Sequence, residues 1–452
     1  MEDAPAWGIE PVPPRLRVLG LLDQGLLWSN LGVSLLVLVA GTYLVPALSL
    51  PEAFLAIALG GLIGNAMLGA AAMIGADARV PAMVLMRVPL GQRGSWLPTV
   101  LNAAQCVGWA IFELLIIATA VAALSDELFG FRAQWLWTLV FGTVALALAL
   151  LGPIGFVRTF VRKFAVWAVL ASLVYLTWWA LDGAGFGPLW EQEGEGGSSV
   201  LDGIDLVVAI TVSWIPLAAD YTRFARDRRS GFLGTGIGYL LPTLWCFGLG
   251  TLLVLSRNLS EPAQIPNVVA TGSVLAVIAL LMLTVDESDE AFADIYSTAV
   301  SLQNILPRAS QRLLIVLVAA TATVGAIAID LGNYLTFLYL LGSVFVPLFA
   351  VLLADWLVRG AHYTEQDIFE GPAVRVERLA AWVAGFALYQ WLSPQGPSWW
   401  TDLIAHLNPG HARLTASLPS FAAAFCLTLL AAWIDSRRAA AGSRREPLTR
   451  SR

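Results

Sequence analysis

The residues best suited to chemistry in this sequence form an acidic cluster inside an apolar stretch. The acids follow VLAVIALLML (274–283) and precede further apolar sequence, so they lie within what reads as a membrane span. A carboxylate at the bilayer centre costs roughly 2.5–3.5 kcal/mol on insertion scales, and intramembrane acids usually mark the path of an ion or a substrate. The cluster consists of Asp286, Glu287, Asp289, Glu290 and Asp294. On a helix these positions cover about half of the circumference, which predicts one polar face turned away from lipid.

A second polar set shares one helical face in another apolar stretch. Asn102, Gln105, Trp109 and Glu113 are spaced by three or four residues, so they line one side of a helix. An indole beside an amide and a carboxylate is suited to stacking on a flat heterocycle and bonding its edge. The alternatives are a core role for Trp109 and a structural polar contact for Glu113.

Two apolar stretches are interrupted by small and polar residues. Residues 28–34 read WSNLGVS, and residues 210–217 read ITVSWIPL. Such a cluster in mid-span fits a discontinuous helix, whose freed carbonyls can coordinate a cation. Pro216 removes a backbone donor and bends a helix, which indicates a second broken span. For the first stretch, close helix packing through Gly32 and Ser34 is the alternative.

Membrane-spanning helices must position these residues. The 452 residues are 58% hydrophobic and only 13% charged, whereas soluble domains carry about 25% charged residues. The apolar runs do not alternate as barrel strands do. We therefore predict an all-α polytopic membrane protein with about twelve transmembrane helices. The predicted spans are 25–48, 53–75, 97–123, 135–154, 164–181, 203–221, 232–255, 270–303, 313–330, 332–356, 376–392 and 414–434.

The basic residues are distributed unequally between the two sides of the predicted membrane protein. Twenty-three of the 26 lysines and arginines fall in alternate loops and the two terminal segments, and three (Arg132, Arg257 and Arg413) fall in the opposite loops. By the positive-inside rule, this bias predicts that both termini are cytoplasmic. The basic tail is then expected to set topology, and no nucleic-acid binding is predicted.

Several other function classes find no support in the sequence. The longest non-apolar stretches are too short to fold as a soluble domain, and no P-loop motif is present. The three cysteines lie in apolar spans without disulfide or metal spacing. An intramembrane enzyme would need histidine partners for the acids, but His362, His406 and His411 fall in predicted loops. No cofactor and no enzymatic activity are predicted. A passive channel or a sensor remains an alternative to a carrier.

A series of short motifs follows a characteristic order along the chain. They are Gly75-Ala76, RVPLGQRGSWLP (87–98), Gln105 with Gly108-Trp109, Tyr221-Thr222-Arg223, Tyr296-Ser297 and VFVPLFAVLLADWLVRG (344–360). In this order they resemble the nucleobase-cation-symport-1 family of purine, cytosine and hydantoin permeases. The resemblance covers roughly residues 25–435 and is closest to the branch of hydroxymethylpyrimidine and cytosine permeases.

The resemblance implies a leucine-transporter-type fold with two inverted repeats of five helices. The first repeat would cover 25–181 and the second 203–356. Two appended helices would follow in 376–434. The remaining segments would be a cytoplasmic N-terminal segment (1–24) and a basic cytoplasmic tail (435–452). A bacterial cytoplasmic membrane is the expected location, and the sequence indicates no oligomeric state.

The resemblance also implies where the substrate binds. In the family, an aromatic residue and a glutamine of span three hold the ring, and Trp109 and Gln105 match them. Trp214 matches the aromatic residue that closes the other face, and Asp286 is the nearest match to the polar group of span eight. The full predicted substrate set is Asn30, Gln105, Trp109, Glu113, Ser213, Trp214 and Asp286.

The coupling-ion site departs from the family pattern. Sodium-coupled members use span-one carbonyls and two adjacent hydroxyl residues of span eight, whose positions here hold Asp289 and Glu290. The predicted ion-coupling set is Gly32, Val33, Leu35, Asp289 and Glu290. These carboxylates could bind Na⁺, carry a coupling proton, or bind a cationic substrate directly.

The predicted function is therefore a secondary-active symporter. It would import a pyrimidine-like nucleobase or related nitrogen heterocycle by alternating access, with H⁺ or Na⁺ as the coupling ion. Its expected partners are this small molecule and the lipid bilayer. The alternative is a cation-coupled transporter of a non-nucleobase substrate, such as a cationic amine.

Overall fold

The computed structural model describes residues 8–156, 166–259, 264–329, 334–408 and 415–443. Within these ranges every regular element is helical, and the only extended contact is one isolated bridge. The first half contains α1 (Leu21–Asn30), α2 (Leu35–Thr42), α3 (Leu50–Ala78), α4 (Ala82–Leu85), α5 (Arg87–Leu90), α6 (Trp96–Phe129), α7 (Gln134–Phe156), α8 (Val166–Leu181) and α9 (Phe186–Glu191). The second half contains α10 (Val200–Ser213), α11 (Ile215–Thr222), α12 (Thr235–Arg257), α13 (Ile265–Ala270), α14 (Val274–Asp286), α15 (Ser288–Leu302), α16 (Gln311–Ala328), α17 (Tyr334–Val358), α18 (Glu365–Phe369), α19 (Val376–Leu392), α20 (Ser398–Leu407) and α21 (Ser417–Ser443).

Each predicted span corresponds to a helix or a pair of helices. Among the described residues, eight helices are long and apolar enough to cross a membrane, and the bent pair α1–α2 would make a ninth. A further apolar helix, Trp167–Leu181, is shorter. The acidic stretch occupies α14 and α15, which meet at Glu287. The predicted all-α polytopic class is confirmed.

The first span is broken, as predicted. Helices α1 and α2 are bent by 59° across residues 31–34. Ser34 begins the second half, because its Oγ accepts hydrogen bonds from the N–H groups of Leu36 (3.0 Å) and Val37 (3.3 Å). Close packing also occurs here, since a Cβ added at Gly32 would lie 2.7 Å from Pro242 Cγ.

The prediction of a second broken helix in span six is wrong. Helices α10 and α11 continue as one span, Val200–Thr222, with a single tightened turn at Trp214. Trp214 keeps helical dihedral angles (φ −80°, ψ −17°). Pro216 lies in the first turn of α11, where a missing N–H is tolerated. The proline therefore marks a restart of the helix without a sharp bend.

Small residues bring α2 close to α12. A Cβ added at Gly41 would lie 2.3 Å from the Phe247 carbonyl oxygen, and one at Gly250 would lie 2.0 Å from the Leu38 carbonyl oxygen. Glycine at both positions lets the two backbones approach more closely than any side chain would allow. This contact positions the second half of the broken span.

An N-terminal strap, residues 8–20, crosses the ends of two spans. Leu19 forms a parallel bridge with Ala225, just after α11. The Val12 N–H donates to the carbonyl of Arg79, just after α3, at 2.9 Å. Val12 and Leu19 are buried. The strap therefore ties the same ends of α3 and α11 together.

The last described helix is anchored to span six. Asp205 in α10 accepts hydrogen bonds from the backbone N–H groups of Ala416 (2.5 Å) and Ser417 (3.2 Å), where α21 begins. Other residues on which the sequence analysis drew lie outside the described residues. These are Arg158, Arg162, Lys163, His411, Arg413 and the tail residues 444–452.

Candidate substrate and ion site

A small cavity of about 10 Å³ lies where the broken first span meets α6, α10, α11, α12 and α15. Among the residues predicted to bind substrate, Trp109, Glu113, Ser213 and Trp214 line it. Glu290, predicted for ion coupling, lines it as well. The remaining lining residues are Ser34, Val37, Ile210, Leu217, Tyr239 and Asp294. The cavity thus combines three aromatic side chains with three carboxylic acids.

Trp109 is held from one side by two aromatic residues of span ten. Its ring centroid lies 5.8 Å from that of Tyr334 and 5.4 Å from that of Phe337, both in edge-to-face geometry. Such contacts fix the plane of the indole. Its Nε1 is buried and has no hydrogen-bond partner among the described residues. A buried donor without a partner at a cavity is the feature expected of a ligand-binding position.

Trp214 is fixed by the broken span and by α12. Its ring lies edge-to-face against Trp28 at a centroid distance of 5.7 Å, and it is tilted against Tyr239 at 5.9 Å. The Tyr239 hydroxyl is fully buried, and within the described part of the chain it has no hydrogen-bond partner. Tyr239 was missed by the sequence analysis, because its contribution depends on how α12 packs against the first span.

Gln105 lies beside the cavity and joins two helices. Its Nε2 donates to Asn102 Oδ1 (2.8 Å) and to the backbone carbonyl of Ser213 (3.0 Å). Because that carbonyl can only accept, the orientation of the Gln105 amide is fixed by the protein. Its Oε1 is buried without a partner. Gln105 is not among the residues that line the cavity.

A second polar cluster joins α1 to the acidic stretch. Asn30 Nδ2 donates to Asp286 Oδ1 at 3.1 Å and to Asp289 Oδ2 at 2.5 Å. All three side chains are buried, and none lines the cavity. The structure therefore groups Asn30 and Asp286 with Asp289, apart from the other predicted substrate residues.

Glu287 holds the start of α2. Its Oε2 accepts from the Leu35 N–H at 2.6 Å, and its Oε1 accepts from Ser34 Oγ (2.9 Å) and the Leu36 N–H (3.3 Å). A carboxylate at a helix N-terminus is stabilised by the unpaired N–H groups and by the helix dipole. Glu287 thus joins the junction of α14 and α15 to the second half of the broken span. We call this contact the Glu287 latch.

Three glutamates converge beside the latch. One carboxylate oxygen from each of Glu113, Glu287 and Glu290 lies within 4.8 Å of the other two, and all three residues are buried. Carboxylates at this spacing can hold a hard cation or share a proton. No ion pair among the described residues joins any of the three to a basic side chain. We call this set the glutamate triad.

The five residues predicted for ion coupling do not appear as one group. Gly32 and Val33 lie in the break, and Leu35 offers its N–H to Glu287. Asp289 is bonded to Asn30, and only Glu290 belongs to the glutamate triad. The assignment of these five residues remains a prediction.

Comparison with known proteins decides the family. Residues 11–402 match the model of a family described as permeases for cytosine/purines, uracil, thiamine and allantoin. The chain belongs to this family. The cytosine permease of Escherichia coli (strain K12) is 25% identical over 356 residues, which cover 78% of this chain and 81% of that protein. The hydantoin permease of Microbacterium maritypicum is 24% identical over 389 residues, which cover 81% of this chain and 79% of that protein. The predicted resemblance is therefore confirmed, and the protein is a membrane permease and not an enzyme.

Solved structures show the same fold. Mhp1, a nucleobase-cation-symport-1 family transporter, has been solved in a closed conformation with bromovinylhydantoin bound. It matches this permease with a TM-score of 0.76 at 20% identity, over 96% of both chains. The inward-facing conformation of Mhp1 gives a TM-score of 0.75, over 95% of this chain and 94% of the other. The fold is therefore that of the family.

Proposed function

We propose that this permease is a secondary-active symporter that imports a pyrimidine-like nucleobase or a related nitrogen heterocycle, with H⁺ or Na⁺ as the coupling ion. The observation that carries the proposal is the cavity at the broken span, where Trp109 and Trp214 meet Glu113 and Glu290. Two indoles supply faces for a flat ring, and the acids supply acceptors for its edge. The family to which the chain belongs handles heterocycles of this kind.

Transport would proceed by alternating access. A cavity of about 10 Å³ holds little more than one water-sized sphere, so ring entry requires the surrounding helices to separate. The ring would stack against Trp109 and Trp214, with Ser213 and Gln105 at its edge. Closure would then bring the broken span, α6 and α15 back around it.

The glutamate triad connects the same elements, which gives a physical route for coupling. Glu113 lies on α6 and Glu290 on α15, while Glu287 holds α2. A proton or Na⁺ bound by the triad reduces the repulsion among these carboxylates. Ion and substrate would then favour the same closed state. Couplings of this kind typically amount to about 1–3 kcal/mol.

The wider architecture forms part of the same proposal. Residues 25–181 and 203–356 would be the two inverted repeats that move against each other. The bias of arginines among the loops supports cytoplasmic termini, and the bacterial relatives support a bacterial cytoplasmic membrane as the location. Residues 376–434 would lie outside the moving core.

Counter-flow in proteoliposomes tests the proposal. A carrier exchanges labelled cytosine against unlabelled cytosine without a gradient, whereas a channel does not accumulate label. We expect Trp109→Ala to reduce exchange roughly 5- to 150-fold, since stacking of a base on an aromatic side chain contributes roughly 1–3 kcal/mol. The matched control is Trp433→Ala, because Trp433 is exposed on α21. Equal loss of exchange in both variants, or normal exchange in Trp109→Ala, would contradict the stacking role.

A further inference from the structure

The cavity is unusually rich in hydrogen-bond acceptors. Three of its lining residues, Glu113, Glu290 and Asp294, are buried carboxylic acids. In the part of the chain that the structure describes, Glu113 Oε2 and Glu290 Oε1 have no hydrogen-bond partner. No ion pair among the described residues supplies these three acids with an Arg, Lys or His partner. A ligand that enters this cavity therefore meets three buried carboxylic acids that have no basic partner among the described residues.

The neutral polar residues at the cavity do not supply hydrogen-bond donors for a ligand, because their hydrogens already donate to other protein groups. Ser34 Oγ donates to Glu287 at 2.9 Å, and Ser213 Oγ donates to the Ile210 carbonyl at 2.7 Å. Each hydroxyl has only one hydrogen, so Ser213 can offer a ligand only lone pairs, and Ser34 already uses its own to accept from the Leu36 and Val37 N–H groups.

Gln105 adds a further acceptor beside the cavity. Both hydrogens of its Nε2 have acceptors within the protein, Asn102 Oδ1 and the Ser213 carbonyl. The amide therefore cannot turn to present a donor without losing two bonds and leaving a buried carbonyl unpaired. The group left over is Oε1, an acceptor.

The donors that remain belong to aromatic side chains. Trp109 and Tyr239 line the cavity, and the Trp109 Nε1 and the Tyr239 hydroxyl are buried without a hydrogen-bond partner among the described residues. Their rings and that of Trp214 line the same cavity as the acids, and aromatic rings attract cations. Aromatic side chains beside carboxylic acids that lack basic partners are the usual binding chemistry for an organic cation.

We infer that the transported heterocycle is recognised as a cation through an amidine-type edge, meaning a protonated ring nitrogen next to an amino group. Such an edge donates two parallel hydrogen bonds to one carboxylate, as an arginine does. An imide edge, with an N–H between two carbonyls, would instead direct two oxygens at the acids. This inference rests on the proposed function and narrows its substrate class to amino-substituted, basic heterocycles.

A matched pair of pyrimidines tests the inference. 2,4-Diaminopyrimidine and uracil have the same ring and nearly the same size, but amino groups in the first replace the carbonyls of the second. Binding to the purified full-length permease is measured by quenching of tryptophan fluorescence, in sodium-free buffer. We expect 2,4-diaminopyrimidine to bind at least tenfold more tightly than uracil, a difference of about 1.4 kcal/mol.

Two variants test whether Glu113 and Glu290 cause the preference for 2,4-diaminopyrimidine over uracil. Glu113→Gln and Glu290→Gln each replace a charged acceptor with a neutral amide of the same shape, and at least one should reduce the preference tenfold. The control is Asp402→Asn, an exposed acid on α20, which should keep the preference. If one glutamine variant does not fold, the wild-type ligand pair and the other variant still decide the outcome.

The results separate this inference from the function on which it rests. Equal binding of the two rings, or tighter binding of uracil, overturns the inference and leaves the heterocycle carrier standing. Uracil binding that appears only with Na⁺ or Ca²⁺ also overturns it, because a metal ion would then neutralise the acids. Failure of both rings to bind, together with no exchange of cytosine, overturns the proposed function and the inference with it.

Discussion

The Glu287 latch makes a prediction that can be tested at one backbone amide. Among the described contacts, the Leu35 N–H has only the Glu287 carboxylate as its acceptor, at 2.6 Å. The neighbouring Leu36 N–H also bonds to Ser34 Oγ at 3.0 Å. Glu287→Gln keeps the size of the side chain but leaves a single acceptor oxygen. If the amide NH₂ group faces Leu35, the Leu35 N–H loses its acceptor. If the amide oxygen faces Leu35, the bonds from Ser34 Oγ and the Leu36 N–H are lost.

The magnitude follows from the bonds that are lost. A buried N–H left without an acceptor costs about 1–3 kcal/mol. Loss of a negative charge at a helix N-terminus costs about 0.3–1 kcal/mol more. We therefore expect the start of α2 to open more easily by about 1.3–4 kcal/mol. At about 1.4 kcal/mol per factor of ten, hydrogen exchange at Leu35 should accelerate roughly 8- to 700-fold.

An opposing effect must be separated from this one. Glu287→Gln also removes a negative charge from the glutamate triad, and relief of repulsion stabilises the fold. Glu113→Gln and Glu290→Gln remove the same charge, but among the described contacts neither residue accepts from a backbone N–H at the start of α2. These two variants are the matched controls. They should raise or preserve the melting temperature, whereas Glu287→Gln should lower it.

The assay is hydrogen–deuterium exchange with fragmentation across residues 34–42, together with thermal unfolding of the three variants in detergent. Faster exchange at Leu35 in Glu287→Gln alone supports the latch. If exchange at Leu35 is unchanged, or if all three variants are stabilised alike, charge relief is the dominant effect. The interpretation of Glu287 as the anchor of α2 would then be rejected.

Two further predictions concern packing and coupling. Gly250→Ala would place a Cβ 2.0 Å from the Leu38 carbonyl oxygen, so we expect thermal stability to fall by about 1–3 kcal/mol. The control is Gly248→Ala, whose Cβ would lie 3.7 Å from Phe54, and it should leave thermal stability unchanged. Similar melting temperatures for the two variants would contradict the close approach of α2 and α12. Because clustered carboxylates favour a bound proton, substrate added to cells or proteoliposomes should make the external medium more alkaline. Uptake that needs Na⁺ and does not respond to a proton gradient would exclude this mode of coupling.

The sequence predicted most of the fold because lipid burial leaves a local signal. The span predicted at 53–75 is the helix Leu50–Ala78, and the break in the first span follows from Gly32 and Ser34. The continuity of span six was not predictable from Pro216. A proline bends a helix in its interior but is tolerated in a first turn, and the sequence does not say where that turn begins.

The candidate site was predictable where it depends on one helix. Trp109 and Glu113 are four residues apart, so helical geometry alone places them together, and both line the cavity. Glu287 and Tyr239 were not assigned, because their roles depend on which helices approach them from distant parts of the chain. Because the acids cover half of a helix, the sequence does not show which of them faces the substrate cavity. In the structure Asp286 is bonded to Asn30 instead.

The N-terminal strap has a consequence for how the chain assembles. Its bridge joins Leu19 to Ala225 across roughly 200 residues, and closing a loop of that length costs about 5 kcal/mol in chain entropy. One bridge cannot offset this cost, so the strap can dock only after the intervening helices have packed. Chains are synthesised from the N-terminus. Residues 8–20 are synthesised before both of the spans that they join, yet they are among the last to dock, and their docking shows that the intervening helices have packed.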